Sequence, residues 1–199
     1  MDVGGNVNAQ RMLERPAAAT ADPWRVTLVG GELQKGGERF DFCTSARTDP
    51  EGKFRLLFTL PAGKKGPTEH THPGESETAE IVSGTCRIWV GDDIHDCKPG
   101  DVVTIPAETK HRMHNRGKEP CVMRVTYSGP VMEDVFVPTA IALKKQGLFR
   151  AFMGMIIWVA EQRPTRPSSK LEALVIRAFA RAFKLIGGKS HQPVLGWDR

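Results

Sequence analysis

Between Trp24 and Val137 the chain contains seven short runs in which apolar and polar residues alternate, at 24–29, 39–44, 54–60, 77–82, 85–90, 101–105 and 121–127. Alternation with a period of two sends successive side chains to opposite faces of an extended strand, so each run can bury one face and wet the other. Many short runs punctuated by Gly and Pro predict an antiparallel sandwich or barrel. Two connections are legible in detail. Val90-Gly91-Asp92-Asp93-Ile94 reads as a hairpin, and Lys98-Pro99-Gly100-Asp101 has Pro followed by Gly, as a type II turn requires.

The flanks read differently. Residues 1–23 carry few large apolar side chains and two prolines, and predict an extended arm with at most a short helix around 8–14. After Pro138 the period becomes helical. Residues 140–161 predict a buried helix, its inner face formed by Phe152, Met153, Met155 and Trp158; Lys144, Lys145 and Arg150 interrupt it too often for a membrane span. A second helix is predicted over 169–187, opened by the capping box Ser169-Lys170-Leu171-Glu172 behind Pro167 and stopped by Gly187-Gly188. Its apolar residues Leu171, Leu174, Val175, Ala178, Phe179, Ala182 and Leu185 recur at three and four, which predicts a packed face. Lys170, Arg177, Arg181 and Lys184 form a basic, solvated stripe. The expected organisation is an arm at 1–23, a β-barrel at 24–138 and a helical extension at 139–199.

Charge follows the same division. The formal charge of +5 arises from residues 139–199, with 11 basic against 3 acidic side chains, whereas 1–138 carries 17 against 20. No helix-turn-helix pattern and no aromatic platform among the basic residues appears, so a nucleic-acid partner is not expected, and neither is attachment to a membrane. The cysteines at 43, 86, 97 and 121 have no C-x-x-C spacing and read as small buried hydrophobes. With no apolar leader segment at the start, they predict a reduced, cytoplasmic chain.

Chemistry concentrates in two stretches. In His70-Thr71-His72-Pro73-Gly74-Glu75-Ser76-Glu77, histidines two residues apart on extended backbone project to one side, and Glu77 returns from the Pro73-Gly74 turn to face them. In Gly100 to Asn115, a Gly-Asp turn, a strand and the Pro106 turn bring His111 up as the closing ligand. Three imidazoles and one carboxylate, with no thiolate, suit one divalent transition metal, whether Mn, Fe, Co, Ni, Cu or Zn. His114 falls on the opposite strand face and Asn115 is expected to fix a turn. Glu75 and Glu80 are expected to be solvated. Phe54, Leu56, Phe58 and Leu60 form a core-facing row.

These stretches closely resemble the two motifs of the cupin superfamily. The match lands on His70, His72, Glu77, Gly84, then Gly100, Pro106, His111 and Asn115, and the likeness covers about residues 38–128. Two positions depart from it: Lys64 stands where the first motif begins with Gly, and Glu108 where Gly follows Pro106 by two. A Glu there is expected to avoid the positive φ that Gly adopts cheaply. The resemblance implies a mainly β cupin jelly-roll barrel with a C-terminal two-helix appendage. It further implies metal ligation by His70, His72, Glu77 and His111, and a homodimer, since cupin sandwich edges often pair. The implied function is a metal-dependent enzyme on a small molecule, dioxygenase-like or else a cyclase or isomerase, with Glu77 as both ligand and general base. The alternative is a non-catalytic cupin module that binds a small molecule, its helical tail serving dimerisation or membrane attachment.

Overall fold

The alternating runs become strands because their inward residues pack on one another. In a computed structural model of the chain, residues 22–32, 37–146, 153–157, 160, 166–167, 169–185 and 189 are described. In chain order the strands are β1 (Leu28–Glu32), β2 (Arg39–Thr44), β3 (Phe54–Leu60), β4 (His70–Thr71), β5 (Glu77–Ser83) and β6 (Cys86–Val90). There follow β7 (Asp93–Cys97), β8 (Val102–Ile105), β9 (His111–His114), β10 (Cys121–Tyr127) and, far along the chain, β11 (Arg166–Pro167). The helices are α1 (Val131–Gln146), α2, described over 153–157, and α3 (Lys170–Leu185).

Two antiparallel sheets result, one ordered β1-β2-β3-β10-β5-β8 and the other β11-β4-β9-β6-β7. Phe42, Phe54, Leu56, Leu60, Ile81, Ile88, Ile105 and Met123 are fully buried, on alternate positions of their strands. Burying a side chain of this size stabilises by about 1.5–3 kcal/mol relative to leaving it in water. The Lys98–Asp101 turn closes as expected, with Asp101 N–H donating to Lys98 C=O at 3.0 Å and Gly100 at φ 92°. Gly84, at φ 74°, is obligatory for a second reason, because a Cβ there would run into the Pro120 carbonyl.

Several expectations need correction. Among the described residues the seven runs become eleven strands: β4 and β11 are two residues long, β9 is four residues of mostly polar sequence, and β7, almost wholly exposed, has no alternation to reveal it. The first strand begins at Leu28 rather than Trp24; before it, Thr27 N–H donates to the Phe42 carbonyl at 2.9 Å.

The first helix starts at Val131, ahead of Pro138, which it contains. A proline at the eighth position removes one intrahelical bond. The start is set from outside the helix: the Glu75 carboxylate accepts from Val131 N–H at 2.6 Å and Met132 N–H at 3.1 Å, filling the role a capping side chain at Pro130 cannot play. Glu75 is therefore buried, not solvated. Gly129 makes room for it, since a Cβ there would lie 2.6 Å from the carboxylate. In the same first turn, the buried Glu133 carboxylate accepts from the Ser45 hydroxyl at 2.7 Å and Ala46 N–H at 2.9 Å, and pairs with Arg47 at 3.3 Å. The helix is thus pinned to the 45–47 loop by polar groups no periodicity reveals.

The last helix runs close to its expected bounds, with Ala173 N–H donating to the Ser169 carbonyl at 3.1 Å. Its orientation reverses the expectation. Ala180 is buried and Ala173, Ile176 and Phe183 half-buried, whereas Leu171, Leu174, Phe179 and Leu185 stand 70, 61, 59 and 88% exposed. The face with Ala173, Ile176, Ala180 and Phe183 lies against the protein, and the helix is led in by β11, which pairs with β4. Met153 and Ile157 of α2 are buried, as expected of that stretch for Met153. The short helix expected at 8–14, Phe152, Trp158 and the Gly187-Gly188 stop lie outside the described residues. Among the described residues no helix is long and apolar enough to cross a membrane.

Candidate metal centre

Strand pairing assembles the site. His70 on β4 is paired with His111 on β9, and Glu77, opening β5, is paired with Tyr127, closing β10. His72 follows β4 directly. The ring nitrogens of His70, His72 and His111 that can act as ligands lie within 4.8 Å of one another. Glu77 Oε2 stands 3.1 Å from His72 Nε2 and 3.4 Å from His111 Nε2. All four expected side chains are therefore brought to one place, and His72, Glu77 and His111 are buried.

Backbone carbonyls set the tautomers of two rings. His70 Nδ1 donates to Thr68 C=O at 2.7 Å and His111 Nδ1 to Thr109 C=O at 3.0 Å, which turns the Nε2 lone pair of each ring inward. His111 Nε2 and His72 Nδ1 are buried without a hydrogen-bond partner. The unpartnered His111 Nε2 thus faces the Glu77 carboxylate at 3.4 Å, and a positive charge between them is what would satisfy the nitrogen. Three neutral nitrogens and one carboxylate oxygen fit a divalent transition metal, with positions left over for a further ligand.

Titration follows the same geometry. Burial, reinforced by the neighbouring His111 and His72, lowers the His70 pKa to about 4. Burial opposes charge on Glu77, but the neighbouring His111 and His72 rings outweigh it and hold the carboxyl well below its usual range. On His111 burial disfavours the imidazolium, and the Glu77 carboxylate overrides it and raises the pKa.

A cavity of about 40 Å³ adjoins the cluster, walled by Phe40, Leu56, Phe58, Val125, Met132 and Phe136. The last two come from α1, so the helix capped by Glu75 also forms one wall of the site. The chain's single tyrosine, Tyr127, is the residue the sequence reading missed. It is buried, hydrogen-bonded to Glu77, and packed edge-on against His72 at 5.5 Å between ring centroids. Burial first, and then the Glu77 charge, raise its pKa well above the ordinary phenol, so it donates its proton to the carboxylate. The available signal was a polar-tipped ring closing the inward row Cys121, Met123, Val125.

Other positions separate cleanly. Asn115 is buried and fixes its loop, donating to Leu60 C=O at 3.0 Å and Glu119 C=O at 2.8 Å. Glu80 points outward, 3.3 Å from Arg124, and Arg112 lies over the Trp89 ring at 3.7 Å, away from the cavity. Glu108 does not avoid the left-handed region: its φ is 62°, and its N–H donates to the His72 carbonyl at 3.0 Å. The turn that holds His72 requires this backbone shape whichever side chain occupies it, at a cost of about 1 kcal/mol for a residue with a Cβ.

The cupin-domain profile matches residues 56–127, the segment that contains all four residues of the cluster. Among solved structures, KdgF from Halomonas sp. is 17% identical, over 47% of this chain and 81% of that one, with a TM-score of 0.41. The TT1209 protein from Thermus thermophilus is 19% identical over 50% and 89%, TM-score 0.43, and a predicted oxalate decarboxylase from Thermotoga maritima 20% identical over 45% and 78%, TM-score 0.43. No curated protein matches the chain.

Proposed function

Residues 56–127 form a cupin domain, and on that premise we propose that the chain is a small-molecule enzyme dependent on one divalent transition metal held by His70, His72, Glu77 and His111. The observation that carries the reading is the buried His111 Nε2, without a hydrogen-bond partner, meeting Glu77 Oε2 at 3.4 Å beside two further imidazoles. When bound, such a metal supplies a Lewis acid that polarises a substrate oxygen and makes its neighbouring proton easier to remove.

The chain's own groups do the rest. Glu77 is the one carboxylate among the residues walling the cavity, and enters as the ionised form that can take a substrate proton. Tyr127 orients that carboxylate through its hydroxyl. Phe40, Leu56, Phe58, Met132 and Phe136 keep water away and select a small substrate with an apolar body and an oxygenated head. Such a site favours dioxygenase-like chemistry on enols, diketones or phenols. Cyclisation or isomerisation of the same class is distinguished by requiring no dioxygen.

The test begins with elemental analysis of untagged protein beside a His72→Ala, His111→Ala double variant. About one equivalent of one transition metal in the wild type and none in the variant is expected. Dioxygen uptake by the Fe, Mn and Ni forms is then followed with catechols, flavonols and diketones. Absence of metal in both proteins, with no uptake on titration, removes the reading. Bound metal without turnover of any substrate class leaves a binding module.

A further inference from the structure

On α3 the two faces have exchanged the roles their hydrophobicity suggests. Ala173, Ile176, Ala180 and Phe183 lie toward the protein, and the opposite face presents Leu171, Leu174, Val175, Phe179 and Leu185 to solvent over the full length of the helix. Projected at 3.6 residues per turn, these large residues form one continuous arc, and Lys170, Arg177 and Arg181 form the arc beside it. The helix has four basic residues against the single acid Glu172, within a region of 11 basic and 3 acidic residues.

We propose that α3 is an interfacial membrane helix, which lays this apolar arc among the acyl chains of an anionic bilayer while Lys170, Arg177 and Arg181 meet the lipid phosphates. Three features favour a lipid surface. The large apolar residues point to solvent rather than toward the protein. Long basic side chains beside it reach the headgroup layer while their alkyl stems stay in the apolar zone. The alternative occupant, a second copy of the chain, suffers in an antiparallel two-fold pairing, because Arg177 and Arg181 sit near the middle of the helix and would lie beside their own copies. The attachment also has a consequence for the site. The chain enters α3 from the sheet-edge strand β11, which pairs with β4, the strand carrying His70, so the lipid surface would lie one strand away from the metal cluster along the chain's path.

The test is co-sedimentation of the full, untagged chain with vesicles of phosphatidylcholine alone and of phosphatidylcholine mixed with phosphatidylglycerol. The wild type is expected in the pellet with the anionic vesicles and to be released by salt. Arg177→Gln with Arg181→Gln should weaken binding to the anionic vesicles roughly 30-fold. Leu174→Glu with Phe179→Glu should abolish it, with an unchanged thermal midpoint showing that the variant is folded. Wild-type protein remaining in the supernatant on anionic vesicles overturns the proposal, as does pelleting that the Leu174/Phe179 variant retains. Concentration-dependent dimerisation lost in that variant, with no lipid binding by the wild type, would assign the face to a second copy and equally overturn it.

Discussion

Helices α1 and α3 are both sixteen residues long and differ in how much of their apolar surface the protein covers. Helix α1 is apolar on most sides, contains a proline and has no capping residue of its own, yet it is held tightly: Glu75 caps it, Glu133 ties it to the 45–47 loop, and Met132 and Phe136 wall the cavity. Helix α3 is amphipathic and starts close to its expected position, yet Leu171, Leu174, Phe179 and Leu185 meet solvent. A strong helical pattern therefore reports that a face exists and not what covers it. Polar groups from distant strands can fix a helix whose own pattern is weak.

The largest test of this contrast is Glu133→Ala. It strands the Ser45 hydroxyl and the Ala46 N–H in a dry environment, and is expected to cost about 3 kcal/mol in denaturant unfolding. A loss below about 1 kcal/mol would mean that α1 is held by its apolar contacts alone.

Next comes acid sensitivity of the metal-free protein. The folded pKa of His70 is lowered from 6.5 to about 4, so between these values the unfolded chain binds a proton that the folded one refuses. Its contribution to stability is therefore present above the unfolded pKa and declines as pH falls through that window. His70→Gln should flatten the slope of thermal midpoint against pH there, and an unchanged slope would show that His70 is not the group responsible.

Glu75→Ala should cost about 1–2 kcal/mol through loss of the cap. Because Met132 and Phe136 follow the capped turn, hydrogen exchange is expected to rise first at the start of α1. Uniform acceleration along the helix would contradict a capping role.

Glu108→Gly should stabilise by about 0.5–1 kcal/mol, since glycine adopts φ near 60° without a Cβ penalty. A destabilised variant would show that the side chain contributes more than the backbone strain costs. Leu174→Ser with Phe179→Ser on α3 should change stability by less than about 0.5 kcal/mol, because neither residue is covered. A loss of several times that would mean this arc packs within the chain after all.

Much of the barrel was legible because inward residues on long strands must be apolar at every second position, as Phe54, Leu56, Phe58 and Leu60 show. The histidine cluster was legible from spacing, since His70 and His72 share one strand face. Tyr127 was not, because its role depends on standing opposite Glu77 in the β5–β10 register, 50 residues away along the chain. Glu75 was misread for the same kind of reason. Its partners are N–H groups at Val131 and Met132, and a backbone donor leaves no mark on the side-chain pattern.

Local rules, then, suffice for what depends on neighbours in the chain: the period of the strands, the Pro99-Gly100 turn, the start of α3 and the convergence of His70 and His72. They do not reach quantities set by contacts across tens of residues. The burial of Glu75 and Glu133, the partner of Tyr127, the positive φ of Glu108 and the outward turn of α3 each depend on where another segment lies. These are properties of close packing and of unsatisfied polar groups finding distant partners, and periodicity carries no information about either.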